Sequence, residues 1–294
     1  MEEIPLPEFP DIDKYAKAEN LSHEVLEKAF SLEAHYHRLL LAEKIFEKRL
    51  QLYDEFYSKL LPIYSRDTGL IEGKNPKEKY VRLFAKELCN ASIVDYGCGQ
   101  GHMLKSIDEL VSYKKLTGVD VFIPQDLKTH PRINFSESNI INHKSVEKFD
   151  VAISDNVLEH LVPEDAKLHL NCIYENLNVG GKLIIIMPNR HFSPWDITRI
   201  IDFSQSGKIK AQGGHVNEST HTEMIQQLKE VGFTRFSTIL PIPKIKYLLF
   251  RKIRLNTRWI KFIENSPLLL RLIKSVKVKG ESVLKFPVLL IAEK

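Results

Sequence analysis

Between residues 22 and 64 apolar side chains return every three or four positions: Leu39, Phe46, Leu50, Tyr53, Phe56, Tyr57 and Leu60, with Glu and Lys between them. That is the helical period with one buried stripe, and the length suits two or three helices. Residues 1–20 carry no such period and read as extended and irregular. From residue 92 short apolar runs appear at 92–96, 116–121, 133–136, 149–154 and 183–187, each the length of a strand. Helical patterns alternate with them. One, at about 100–114, buries Met103, Leu104, Ile107, Leu110 and Val111. Another opens at Pro163-Glu164-Asp165, where proline suits the first turn and the acids complement the helix dipole, and closes at Gly180-Gly181. A third has capping-box spacing, Thr220 to Glu223, and runs to Gly232. Strands follow at 233–240 and 286–294. Alternating strands and helices predict an α/β fold, a doubly wound and mostly parallel sheet whose ligand crevice lies at the carboxyl ends of the strands. The run 183–187 is apolar throughout, as when both sheet faces are covered. The connection 190–218, rich in His, Gly, Pro and Ser, is long enough to be a lid over a site.

The turn after the first of these strands organises the rest. Ile93-Val94-Asp95-Tyr96-Gly97-Cys98-Gly99-Gln100-Gly101 ends an apolar run in an acid and then sets three glycines at alternate positions. Glycine there lets a ligand lie against bare backbone, with the N–H groups of the next helix pointing at it. A dinucleotide fingerprint wants glycines at positions 1, 3 and 6; here they fall at 1, 3 and 5, and His102 takes the sixth. The D-x-G-x-G-x-G pattern resembles the cofactor loop of class I S-adenosylmethionine-dependent methyltransferases.

That resemblance implies a seven-stranded Rossmann-like sheet with strands six and seven as an antiparallel hairpin, here separated by a long insertion. It divides the chain into an N-terminal helical extension or lid (1–74), a methyltransferase core (75–240), a basic insertion (241–285) and the core's final strand (286–294). It also implies that Asp95, Gly97, Cys98, Gly99 and Gly101 hold S-adenosylmethionine. Asp120 stands at a strand end, 23 positions after Gly97, where an acid accepts hydrogen bonds from ribose hydroxyls. Val121 would flank the adenine, and Asn139 and Ile140 stand where the family often has an acid for the adenine amino group. Asp155 and Asn156, in the segment Ser154-Asp155-Asn156-Val157-Leu158-Glu159-His160, match the family's motif after strand four. That segment is not the N-P-P-Y type of enzymes that modify DNA bases.

His215 follows two glycines in the region that closes over a substrate, and His160 follows the strand-four motif; both are candidate general bases. Tyr53 and Tyr57 share one helical face and, with His191 and Trp195, are candidate substrate contacts. Neither a H-E-x-x-H pair nor a Cys-His ligand set occurs, so no metal is expected.

Composition adds less. The net charge of +4 conceals a block at 241–285 with twelve Lys and Arg against two acids, so +10, leaving 4 − 10 = −6 elsewhere. Interleaved with Leu, Ile, Phe and Trp, that block suits an anionic membrane surface, RNA phosphates, or a solvated face over a small apolar cluster. Three cysteines without a C-x-x-C pair, an acidic proline-containing start and no membrane-length apolar run point to a reducing, cytoplasmic setting, with peripheral attachment to the inner membrane surface if the block binds lipid. The expected function is methyl transfer to a small-molecule or glycan acceptor, a hydroxyl above all, including a lipid- or nucleotide-linked sugar. The alternatives are an RNA methyltransferase, a non-catalytic cofactor-binding scaffold and, disfavoured by glycine spacing, an NAD-dependent oxidoreductase.

Overall fold

A computed structural model describes residues 7–65, 75–239, 253–278, 281–282 and 284–294. Two long N-terminal helices, α2 (His23–Ala42) and α3 (Phe46–Ser65), form as the apolar period requires, and Ser22 caps the first of them through Val25 N–H. Ahead of them stands α1 (Ile12–Glu19), where an irregular segment was expected. The segment is amphipathic over two turns only: Phe9, Ile12, Tyr15 and Ala16 pack against Leu26, Phe30, Ile197 and Ile200, and Asn20 ends the helix in the left-handed conformation. The polar stretch 69–77 falls mostly outside the described residues.

The core alternates as read. It runs α4 (Glu78–Leu88), β1 (Ser92–Tyr96), α5 (His102–Leu110), β2 (Lys115–Asp120), the short α6 (Gln125–Lys128), β3 (Asn134–Glu137), β4 (Phe149–Asp155), α7 (Pro163–Asn176) and β5 (Leu177–Met187). After a long connection come α8 (His221–Val231), β6 (Arg235–Thr238), β7 (Leu255–Asn256), α9 (Thr257–Glu264), α10 (Pro267–Ser275), a small ribbon of β8 (Lys277–Val278) with β9 (Glu281–Ser282), and finally β10 (Val288–Glu293). The main sheet has the order β3-β2-β1-β4-β5-β10-β6-β7, parallel from β3 to β5, with β10 antiparallel to both of its neighbours. Eight strands form it rather than seven, because Leu255–Asn256 adds a short edge pair to β6. Strand β5 begins before Gly180-Gly181 instead of after, so those glycines turn within the strand and do not end the helix.

Both faces are covered. Leu183, Ile185 and Met187 of β5 join Val94, Tyr96 and the apolar faces of α7 and α8; Ile184 and Ile186 face the opposite side with Ile93 and helices α4 and α5. Period-two alternation within an all-apolar strand thus feeds two cores.

Two buried polar assemblies fasten the outer elements to this sheet. Arg49 of α3 grips Asp165 in the first turn of α7 with two hydrogen bonds, 2.8 Å from Nε and 2.6 Å from Nη2, and Tyr53 donates to the same carboxylate at 3.1 Å while accepting from Val162 N–H. Glu264, at the end of α9, caps α8 by accepting from His221 N–H, Thr222 N–H, the Thr222 hydroxyl and the His221 ring, and takes a further bond from Asn189. Burial alone would raise the Glu264 carboxyl, yet those donors hold it down at about 2. With Arg254 on Glu87 and Ile260 packed among Phe192 and Phe286, the described part of the basic block is docked on the core. Its outward side keeps Trp259, Phe262, Leu268 and Leu272 exposed beside Arg258 and Arg271. Leu248, Leu249 and Phe250 lie outside the described residues. No described helix is long and apolar enough to cross a membrane.

Candidate active site

The glycine turn between β1 and α5 adopts a conformation that side chains resist: Gly97, Gly99 and Gly101 have φ of +77°, +48° and +69°. Their surroundings differ. A Cβ on Gly97 would strike Val157 and one on Gly101 would strike Leu127, so these two glycines are needed for packing. A Cβ on Gly99 would meet nothing within 4 Å; the space over it is open. Cys98 between them buries its sulfur in the core beside Gly118, and only its backbone takes part in the turn, accepting from Gly101 N–H at 2.8 Å. Asp120, at the end of β2, accepts from Gly99 N–H at 2.8 Å and from Phe122 N–H, which braces the loop and leaves lone pairs over for a ligand. Val121 and Phe122 beside it are exposed.

Two carboxylates sit below this cradle at the ends of β1 and β4. Asp95 is 2 % exposed, and its Oδ1 has no hydrogen-bond partner among the described residues; the same holds for Asp155 Oδ1. Asp155 Oδ2 meets Lys77 Nζ at 2.5 Å, a cation the sequence reading did not single out. Burial, and then the Asp155 charge, push the Asp95 carboxyl well above its usual range, with Lys77 opposing; burial likewise raises Asp155 against the pull of Lys77. Orphaned acceptors beside bare backbone suit a ligand that brings its own ammonium group. Asn156 follows with φ +54°, and its N–H bonds to Ile186. Asn139 and Ile140 are engaged locally: Asn139 Oδ1 accepts from Ile141 N–H, and the Ile140 carbonyl from the His169 ring.

Across the crevice lies the second half of the site. His160 and His215 meet edge to face with ring centroids 4.8 Å apart. His160 donates from Nδ1 to the Gly214 carbonyl at 3.1 Å, and His215 donates from Nδ1 to Glu218 at 2.8 Å. Glu33 of α2, Asp196 and Glu159 complete the surroundings: Gly214 N–H donates to Glu33, and Gly213 N–H to Asp196. Burial alone would lower the His215 pKa, but the bond to Glu218 and the charges of Asp196 and Glu159 raise it to about 9. Desolvation and the neighbouring His215 push His160 down to about 3 against the opposing bond to the Gly214 carbonyl. Neither imidazole therefore has the near-neutral pKa of an ideal lone base. Tyr57 packs against Phe56 and lies edge-on to His160 with ring centroids 6.2 Å apart.

The other candidate contacts are elsewhere. Tyr53 is part of the Arg49–Asp165 brace. Trp195 bonds through Nε1 to the Asn189 carbonyl and packs near Phe192 and Ile260, facing the C-terminal helices. For His191 burial lowers the pKa, with the Glu264 charge opposing. Lys77, Glu33, Asp196 and Glu218 were missed because they come from four distant segments and form no spacing in the sequence. Glu159 was legible, adjoining His160, but its complete burial was not.

Comparison with known proteins agrees with this arrangement. A family model described as "Methyltransferase domain" matches residues 70–237. The protein named "Putative methyltransferase 235L" of Invertebrate iridescent virus 6 is 29% identical over 100 residues, 33% of this chain and 37% of that protein. A carboxy-S-adenosyl-L-methionine synthase of Campylobacter lari is 25% identical over 161 residues, 49% of this chain and 65% of that one. The chain thus spans less than two thirds of the length of either curated relative. Among solved structures, a Burkholderia thailandensis 1,6-didemethyltoxoflavin-N1-methyltransferase with bound 1,6-didemethyltoxoflavin and S-adenosylhomocysteine aligns with a TM-score of 0.52 at 17% identity, covering 86% of this chain and 91% of that one. At that identity the likeness is one of fold.

Proposed function

This chain belongs to the methyltransferase domain family, and from that premise we propose that it carries the methyl group of S-adenosylmethionine to a small-molecule or glycan acceptor, a hydroxyl in the first instance. The observation that carries the reading is the open space over Gly99, whose N–H is held by Asp120, together with the buried, unpartnered oxygens of Asp95 and Asp155 on the paired strands β1 and β4. These residues fit the cofactor: the two buried acids face its ammonium group, the bare turn its amino-acid backbone, and Asp120 its ribose. When bound, the cofactor supplies a sulfonium methyl whose carbon–sulfur bond breaks as the bond to the acceptor forms, the electron pair staying on sulfur. The protein's part is largely to align acceptor and methyl, which can supply roughly 7–11 kcal/mol of the barrier. Tyr57, edge-on to His160, is assigned with His160 and His215 to holding the acceptor's reacting group. The small heteroaromatic named as bound by the Burkholderia enzyme supports an acceptor of modest size.

The exposed Trp259, Phe262, Leu268 and Leu272 among cationic neighbours support a second assignment, shallow attachment to anionic lipid. Flotation with anionic vesicles tests it: Trp259→Ser with Phe262→Ser should remain in the pellet, and flotation equal to wild type overturns it. The main reading is tested by calorimetric titration with S-adenosylhomocysteine and with NAD, followed by a labelled-methyl screen of small-molecule and glycan extracts. Binding of NAD alone, or label appearing only in nuclease-sensitive RNA, would overturn it.

A further inference from the structure

The pocket holding His160 and His215 is walled by four buried carboxyl groups. Glu33, Glu159, Asp196 and Glu218 are all buried there, and no Lys or Arg forms an ion pair with any of them among the described residues. Glu159 stands out. It is 0 % exposed, and neither carboxylate oxygen has a hydrogen-bond partner among the described residues. Buried charge of this kind is ordinarily paired or bound to a metal ion. Both imidazoles are also oriented in the way metal ligands are. A carbonyl and a carboxylate can only accept, so Nδ1 donates in each ring, and neither Nε2 has a hydrogen-bond partner among the described residues; on His215, which its acidic neighbours keep protonated, a cation takes Nε2 by displacing that proton.

We infer that Glu159, His160 and His215 form a binding site for a divalent transition-metal cation, with a carboxylate oxygen and the two Nε2 atoms as ligands. One ligand atom from each residue lies within 4.8 Å of the other two. Across a bound ion at about 2.0–2.2 Å from each ligand the separation is roughly 3–3.5 Å, so ligand atoms at the 4.8 Å limit close by roughly 1.5 Å on binding. Two imidazoles with one carboxylate suit Mn, Fe or Zn, whereas Mg and Ca prefer all-oxygen sets. Three protein ligands leave positions open for an incoming oxygen pair. Glu218 is a positioning residue: it fixes the His215 ring from behind and does not touch the ion. The use of such a cation, to hold an acceptor hydroxyl and ease loss of its proton, rests on the methyl-transfer reading; the binding itself does not.

The test uses the full chain, stripped with chelator and dialysed. Mn²⁺ is titrated and followed by electron paramagnetic resonance, and Zn²⁺ by calorimetry, with S-adenosylhomocysteine affinity measured on every variant. One ion per chain is expected. His160→Ala, His215→Ala and Glu159→Gln should each abolish saturable binding, and Glu218→Gln should weaken it about 10–100-fold. All four should keep S-adenosylhomocysteine affinity, which also shows that each variant is folded. If Glu159→Gln fails to fold, His160→Ala and Glu218→Gln carry the test. Absence of saturable Mn²⁺ and Zn²⁺ binding by wild type, or binding unchanged in His160→Ala, overturns the inference. Should S-adenosylhomocysteine bind and neither ion, this inference alone fails; should an ion bind and S-adenosylhomocysteine not, the methyl-transfer reading fails and the cation site stands.

Discussion

Alanine at position 99 and alanine at position 180 should cost the same in folding and differ in ligand binding. Both glycines have left-handed backbones, with φ of +48° and +75°, and at both an added Cβ meets no atom within 4 Å. Left-handed alanine costs about 1–2 kcal/mol. Reduced freedom of the unfolded chain returns about 0.4–1 kcal/mol of that. Each variant should therefore lose roughly 1 kcal/mol, or about 2–4 °C of melting temperature for a chain of this size. The turn at Gly180 faces solvent, remote from the crevice, so Gly180→Ala should bind S-adenosylhomocysteine as wild type does. At Gly99 the new methyl enters the space assigned to the cofactor's amino-acid portion. Even the lower end of an overpacking penalty, about 1–3 kcal/mol, weakens affinity roughly fivefold, and the middle of that range more than tenfold. Differential scanning calorimetry gives the first quantity and titration calorimetry the second. If Gly99→Ala binds with wild-type affinity while both melting temperatures fall together, no ligand lies against that peptide and the cradle argument is refuted.

Two further outcomes follow from the buried polar assemblies. Arg49→Ala should lose about 3–5 kcal/mol in urea denaturation, because it strands Asp165 without its cation, whereas Tyr53→Phe should lose about 1–3 kcal/mol; a loss below about 1 kcal/mol for Arg49→Ala would reduce the brace to an ordinary surface pair. Glu264 has a folded pKa near 2 against an ordinary 4.5, so its stabilisation is complete above the ordinary value and disappears as the pH falls from 4.5 toward 2. That amounts to about 3 kcal/mol at neutral pH. Denaturation across that window should show a steeper acid loss for wild type than for Glu264→Gln, and parallel curves would contradict the assigned contacts.

Much of the fold could be read because local rules and tertiary demands coincide in it. Asp95 to Gly101 needs positive φ at alternate residues, and only glycine supplies it cheaply. The capping box at Thr220 and Glu223 formed with both of its bonds. Helix α1 was missed since two turns of amphipathic pattern after three prolines resemble a linker, and the surface they cover, at Ile197 and Ile200, arrives from far along the chain. The crevice was legible where a motif places residues on consecutive strand ends. The histidine pocket was legible only as two isolated side chains, because its acids come from α2, the strand-four motif and both ends of a long connection. Trp195 read as a candidate substrate contact for the same reason: aromatic content is visible in a sequence, and which wall it packs on is not.

Helix α2 holds the histidine-bearing peptide from the outside. Glu33 accepts from Gly214 N–H at 2.7 Å, and the His37 ring donates to the Gly213 carbonyl at 2.8 Å. Any outward swing of that helix wide enough to admit a molecule severs both bonds and frees the peptide that aims His215. If α2 is the entrance, admission and alignment exclude one another, and His215 regains its aim only on closure.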